Sequence, residues 1–119
     1  MTLRHYVSAK IHNIRVTAKS VEYHGSIAVC PALLKAANIE PFERVDVINL
    51  NNGERWTTYA IEGRDAELSL NGGGARLGEL DDRCVIIAYA MRESFKPADV
   101  VYCGEGNRIS TTFQYEHKR

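Results

Sequence analysis

The sequence predicts a mainly β fold, a small closed barrel of short strands with one or two short helices. Three observations lead there. Apolar and polar residues alternate with period two in several runs of strand length, turn-forming residues separate those runs, and only one segment has convincing helical character. Closure follows because short sheets otherwise present unpaired edges. At 119 residues the chain is the size of one domain and would bury roughly two-thirds of its extended surface, so a single domain over residues 1–119 is expected.

Taken in order, the first strand signal has Ile11, Asn13, Arg15 and Thr17 interleaved with His12, Ile14 and Val16. The next stretch, EYHGSIAVC from Glu22 to Cys30, begins an apolar run at Ser26 directly after His24 and Gly25. A flexible residue and a hydroxyl thus stand where a strand should be closing its hydrogen bonds. PALLKAAN, Pro31 to Asn38, reads as a helix, with proline in the first turn and Asn38 as the stop. RVDVINL and RWTTYAIEG are strands joined through Asn52-Gly53, a strong hairpin signal. A regular strand from Arg55 to Ile61 puts Arg55, Thr57 and Tyr59 on one face and Trp56, Thr58 and Ala60 on the other. AELSLNG, CVIIAYA and DVVYCG supply the remaining strand signals, and the polar tail after Ile109 is expected to be loose.

Fifteen basic and fifteen acidic side chains cancel, so no long-range field favours a polyanion or an anionic membrane as partner. Nucleic acid is not expected. No apolar stretch approaches the ~18 residues of a membrane span or a signal h-region, and the reading is a soluble, cytoplasmic protein. Cys30, Cys84 and Cys103 fit neither a disulfide framework nor a zinc knuckle and read as small buried hydrophobes. His5, His12, His24 and His117 lack the partner spacing of a known metal motif, so no metal is expected.

Four segments carry a more specific pattern: Lys10 and His12 in SAKIHNIRVT, Tyr23 before HGS, the hairpin NNGERWTTYAI, and NGGGAR. In their order and spacing, from about Lys10 to Tyr89, the chain resembles the pyruvoyl-dependent aspartate 1-decarboxylases. The resemblance implies a six-stranded double-psi β-barrel and a homotetramer with active sites near subunit boundaries. It also implies a proenzyme that cleaves itself between Gly25 and Ser26 into residues 1–25, the β chain, and residues 26–119, the α chain. The reaction implied is conversion of L-aspartate to β-alanine and carbon dioxide, for pantothenate biosynthesis. The implied cofactor is a covalently bound pyruvoyl group derived from Ser26, with neither metal nor pyridoxal phosphate.

The residue chemistry is consistent with this. Decarboxylating an amino acid leaves an electron pair that none of the twenty side chains can absorb, so a carbonyl electrophile must be supplied. Attack of the Ser26 hydroxyl on the Gly25 carbonyl would convert amide to ester; elimination then leaves dehydroalanine, which hydrolyses to the pyruvoyl group and ammonia. Gly25, without Cβ, can take strained or left-handed angles that leave its carbonyl open.

By resemblance, Thr58 is the hydrogen-bond donor to the scissile carbonyl, where negative charge develops, and also faces the substrate. The substrate amine forms a Schiff base at position 26, Arg55 grips a carboxylate, and Lys10 positions the substrate electrostatically. Tyr59, a phenol of ordinary pKa about 10, protonates the substrate carbon. Asn71 hydrogen-bonds near the pyruvoyl group, the backbone of Gly72, Gly73, Gly74 and Ala75 lines the pocket, and His12 and Tyr23 support Asn71 or the cleavage loop. Without the resemblance, plainer roles suffice. Thr57 and Thr58 are good strand residues, Lys10 and Arg55 solvated edge charges, Tyr59 a core or interface tyrosine, and NGGG an ordinary turn.

The chain departs from the family pattern at several places. Cys30 replaces an acidic helix cap, a loss of about 1 kcal/mol. Gly73 and Gly74 replace alanines, LDDRCVII lacks a glycine, and Ile48 stands where some members carry a larger side chain. Because a methylene is worth only about 1–3 kcal/mol in a pocket, glutamate or a substituted aspartate is an alternative substrate. A non-catalytic barrel that stays uncleaved is the alternative of another class. Between them lies a proenzyme that matures slowly or needs an accessory maturation factor. Residues 91–119 carry no assigned site.

Overall fold

The computed structural model describes residues 1–116; His117, one of the four histidines considered above, lies outside them. In chain order the strands and the one α-helix are β1 (Arg4–Arg15), β2 (Ala18–Ser20), β3 (Ser26–Val29), α1 (Pro31–Ala37), β4 (Arg44–Asn49), β5 (Arg55–Glu62), β6 (Leu68–Asn71), β7 (Arg83–Arg92), β8 (Ala98–Cys103) and β9 (Ile109–Tyr115). Short 3-10 helices span Gly72–Leu77 and Glu105–Asn107. The fold is mainly β, as expected.

The hydrogen-bonded order is β2-β6-β3-β5-β4-β7-β1-β8-β9, nine strands with β2 and β9 at its ends. Three pairings are parallel, β1 with β8, β2 with β6 and β3 with β5, and the others are antiparallel. Only Val16 and Thr17 separate β1 from β2. The Val16 N–H donates to Asp82 O at 3.0 Å, and the Thr17 N–H to Leu68 O at 2.8 Å.

Alternation sorts the two faces. Ile27 and Val29 of β3, Val45 and Val47 of β4, Leu68 and Leu70 of β6, and Ile86 and Ala88 of β7 point into one core. Each fully buried Leu, Ile or Val side chain stabilises the fold by about 1.5–3 kcal/mol. Strand β1 breaks strict alternation, since Ile11 and Ile14 are both fully buried although three residues apart. A register shift between His12 and Ile14 allows it, with Asn13 at φ 63, an angle that asparagine tolerates.

Helix α1 starts on Pro31 and buries Leu33, Leu34 and Ala37; Asn38, at φ 57, is its left-handed cap. Cys30 stands at its N-cap and makes no capping hydrogen bond, in keeping with the loss of an acidic cap. The β4–β5 connection turns at Gly53, φ +79, as Asn52-Gly53 predicts. Two expectations are corrected. The tail is not loose: β9 pairs antiparallel with β8 from Ala98↔Tyr115 to Cys103↔Ile109, because its β-branched and aromatic residues complete a sheet edge. After Asn71, Gly72–Leu77 forms a 3-10 helix in place of a simple turn.

Candidate active site

Ser26 opens β3. Because Ile27 and Val29 face the core, Ser26 and Ala28 face the other way, beside Asn71 and Ser69, their partners in the antiparallel pairing with β6. Ser26 is nevertheless only 3% exposed, and Asn71 only 7%. The Ser26 hydroxyl donates to His24 O at 3.2 Å and accepts from Asn71 Nδ2 at 3.1 Å. Both the proton and a lone pair of this oxygen are therefore held in place.

Gly72 follows Asn71 at φ +67. A Cβ there would stand 2.7 Å from Gly25 Cα, 2.9 Å from Gly25 N and 3.2 Å from Tyr23 O. The segment ahead of Ser26 thus lies directly on the Gly72 backbone. This corrects the expectation for Gly25: its φ is outside the left-handed region, and a Cβ on it would meet nothing within 4 Å. Close approach is achieved by Gly72, the glycine packed against Gly25.

A cleft of about 390 Å3 opens beside Ser26, walled by Tyr23, His24, Phe42, Tyr59 and Ile61. Tyr59 faces it from β5, and its ring stacks on Phe42 with centroids 6.2 Å apart. Tyr23 is exposed and meets His24 edge-on at 5.8 Å. A second cleft, of about 470 Å3, shares Tyr23, Ile61 and Glu62 with the first and includes Asn71, Lys19 and Arg64.

The remaining predicted residues lie elsewhere. Lys10 Nζ donates to Tyr115 Oη at 3.4 Å and sits 5.4 Å from the centroid of that ring. His12 stacks on Tyr102 at 4.6 Å with Nε2 buried and unpaired; burial first, then the Lys10 charge, lowers its pKa below 6.5. Arg55 Nη2 donates to Asp46 Oδ2 at 3.1 Å and to Tyr89 Oη at 2.9 Å, and these two bonds raise its pKa. The Thr57 hydroxyl donates to Asp46 Oδ1 at 2.7 Å.

Register aligns Thr57, Asp46, Ile87 and Lys10 in one cross-strand row and Arg55, Ile48, Val85 and His12 in the next. Lys10, His12 and Arg55 therefore share one face of the sheet, but neither Lys10 nor Arg55 lines the cleft beside Ser26. Thr58 is on the opposite face of β5 from Tyr59, paired with Val45, and makes no hydrogen bond to Gly25. A Cβ on Gly73 would meet nothing within 4 Å, one on Gly74 would stand 2.8 Å from Trp56 Nε1, and Ala75 is buried.

Sequence reasoning missed Phe42, Asp46, Tyr89 and Tyr115 as neighbours of the predicted residues. Asp46 had a signal, since a β4–β5 hairpin puts it opposite Thr57. Tyr115 had none beyond its strand character, because its contact with Lys10 depends on β9 reaching β8.

All three cysteines are buried, as expected, and burial pushes the Cys84 thiol up to about 12 and the Cys103 thiol to about 11. Among the described residues no group of three or more His, Cys, Asp or Glu is placed to hold a metal ion. No helix there is long and apolar enough to cross a membrane.

Comparison with known proteins adds independent findings. The family model described as aspartate decarboxylase matches residues 1–110. The aspartate 1-decarboxylase of Burkholderia thailandensis is 45% identical over 89% of this chain and 88% of its own length. The protein of the same name from Burkholderia multivorans is also 45% identical, and that from Burkholderia pseudomallei 44%, with the same coverage of each chain.

Proposed function

The chain belongs to the aspartate decarboxylase family, and we propose that it is a self-processing, pyruvoyl-dependent enzyme converting L-aspartate to β-alanine and carbon dioxide. The observation that carries this reading is the seating of Ser26, an almost fully buried hydroxyl held between His24 O and Asn71 Nδ2 and immediately following a peptide pressed onto Gly72. For processing, Ser26 Oγ forms a bond to the Gly25 carbonyl carbon and the Gly25–Ser26 C–N bond breaks, leaving an ester. Loss of the Gly25 carboxylate by elimination and hydrolysis of the resulting dehydroalanine release ammonia and leave a ketone at position 26.

The residues present fit that ketone. The Ser26 oxygen departs with the Gly25 carboxylate and the ketone oxygen takes the place of the Ser26 nitrogen, so Asn71 Nδ2, 3.1 Å from the departing oxygen, is a neighbouring donor for a carbonyl that can only accept. The bound pyruvoyl group supplies an electrophile that draws electrons from the substrate as its carboxylate leaves. The chain's own residues do the rest. Ser26 and Tyr59 line the same cleft, which supports Tyr59 as the proton donor at carbon. Thr58, the residue before it on β5, is the donor to the scissile carbonyl. Asn71 and the backbone of Gly72, Gly73, Gly74 and Ala75 form the pocket floor, with His12 and Tyr23 in support.

Arg55 and Lys10 receive the substrate carboxylates. Because they lie outside the cleft of their own chain, the reading includes a homotetramer whose subunit boundaries bring such groups to a neighbour's Ser26. It also includes a closed six-stranded double-psi barrel. The support is that β1 runs through Val16 and Thr17 into β2, which pairs with β6, so counting β1 and β2 as one strand makes β6, β3, β5, β4 and β7 a circuit with it. The enzyme would act in the cytoplasm and feed pantothenate biosynthesis.

Denaturing mass spectrometry tests processing: fragments 1–25 and 26–119 are expected, the latter with a blocked terminus. Ser26→Ala should stay whole and release no carbon dioxide from L-aspartate. Decarboxylation by Ser26→Ala would overturn the reading, and turnover of glutamate with none of aspartate would overturn the substrate.

A further inference from the structure

Phe42 lies between α1 and β4 at φ 71 with 76% of its surface exposed. The other non-glycine residues with positive φ among the described residues are Asn13, Asn38, Ala66, Asp81 and Asn107, all small or able to hydrogen-bond locally. A bulky apolar side chain is an outlier there, since its Cβ crowds the following carbonyl. Burial offers little compensation for a ring this exposed. What holds the conformation is a clamp on β5. The Phe42 N–H donates to Ala60 O at 2.6 Å, the Ala60 N–H donates to Glu43 O at 3.1 Å, and Glu43 Oε1 accepts the Glu40 N–H at 3.0 Å. Ala60 is the residue after Tyr59, and the clamp delivers the Phe42 ring onto the Tyr59 ring, 6.2 Å between centroids and 22° from parallel, at the wall of the Ser26 cleft.

Retained backbone strain of this kind, over-determined by its surroundings, clusters at functional sites. We propose that Phe42 is a positioning residue for the decarboxylation: it fixes the Tyr59 ring in the orientation from which the phenol delivers its proton to the substrate carbon. Resting on the function proposed above, this adds a residue of the cleft wall that acts through Tyr59. The proton leaves Tyr59 Oη for the carbon that lost its carboxylate, and the phenolate regains one from water in the open cleft. Holding the donor ring lowers the barrier to transfer without adding affinity for the substrate.

The test compares Phe42→Asn with Phe42→Tyr. Asparagine accepts the left-handed angle but removes the ring, whereas tyrosine keeps it. With Phe42→Asn, cleavage at Gly25–Ser26 should be complete and Tm unchanged or raised by a few degrees, while kcat falls about 10-fold and KM stays within about twofold. Phe42→Tyr should recover kcat. In the uncleaved Ser26→Ala background, the ring-current shift of the Tyr59 resonances should be lost with asparagine and kept with tyrosine. Unchanged kcat in Phe42→Asn, a loss confined to KM, a lowered Tm that tracks the loss of activity, or no recovery with tyrosine would each overturn the role. Cleaved wild-type protein that does not turn over L-aspartate would instead overturn the function on which it rests.

Discussion

Gly72→Ala should slow self-cleavage strongly, and the reason can be worked from distances. The new Cβ would stand 2.7 Å from Gly25 Cα, where ordinary contact begins at 3.4 Å, so the two backbones must separate by about 0.7 Å. Both are main chain, and no rotamer change relieves them. Overpacking of this kind costs about 1–3 kcal/mol, and alanine in the left-handed region about 1–2 kcal/mol more. Stability should therefore drop by roughly 2–5 kcal/mol. The same displacement moves the Gly25 carbonyl relative to Ser26 Oγ, and a misplacement near 1 Å can slow a reaction about 100-fold; a cleavage rate about 10- to 100-fold lower is expected. A mass-spectrometric time course of intact chain against fragments 1–25 and 26–119, with a parallel thermal melt, reads both effects. Gly73→Ala is the control, since a Cβ there meets nothing within 4 Å. It should be neutral or stabilising by about 0.4–1 kcal/mol through the unfolded chain. A Gly72→Ala protein that cleaves and melts like wild type, or a Gly73→Ala protein just as damaged, would refute the reasoning.

Arg55→Ala should leave cleavage intact and raise KM for L-aspartate roughly 10- to 100-fold, the loss of a charged hydrogen bond worth about 1.5–3 kcal/mol; an unchanged KM in steady-state kinetics would remove Arg55 from substrate binding. With the His12 pKa held below 6.5 in the fold, the unfolded chain takes up that proton first as pH falls. The His12 contribution to stability is thus fully present above about pH 6.5 and lost as pH drops through the folded pKa. Denaturant midpoints measured from about pH 7 to pH 5 should decline less steeply for His12→Gln than for wild type, and parallel curves would contradict this. Cys84 and Cys103, with thiol pKa values pushed up to about 12 and about 11, should resist iodoacetamide in the native protein and react after unfolding; native labelling at either site, mapped by peptide mass, would count against their burial.

What the sequence made legible is whatever is encoded locally. Pro31 and Asn38 bracketed the helix to within a residue, Asn52-Gly53 marked the turn into β5, and alternation assigned Tyr59 and Thr58 to opposite faces. Long-range pairing was not encoded in this way. Nothing in ISTTFQY says that Tyr115 will meet Lys10, because that contact depends on β9 finding β8, and β8 lying parallel to β1. In the candidate site, Ser26 and Asn71 were identified by motif, but their hydrogen bond depends on the register of β3 with β6. Gly25 drew attention as the flexible residue, yet Gly72, 47 positions later, carries the left-handed angle against it. Spacing gives the face of a strand; only the register shows which residues of another strand lie opposite.

The place of β1 governs what a break after residue 25 would do to the whole molecule. That strand is sandwiched, paired with β7 along its length and with β8 through Ala9–His12, while β2 is paired with β6. A severed N-terminal peptide would remain threaded through the sheet as an intrinsic ligand of the larger fragment. Melting of the nicked protein then becomes a dissociation, dependent on concentration, and a chain that refolds alone before the cut must afterwards find its other piece by diffusion.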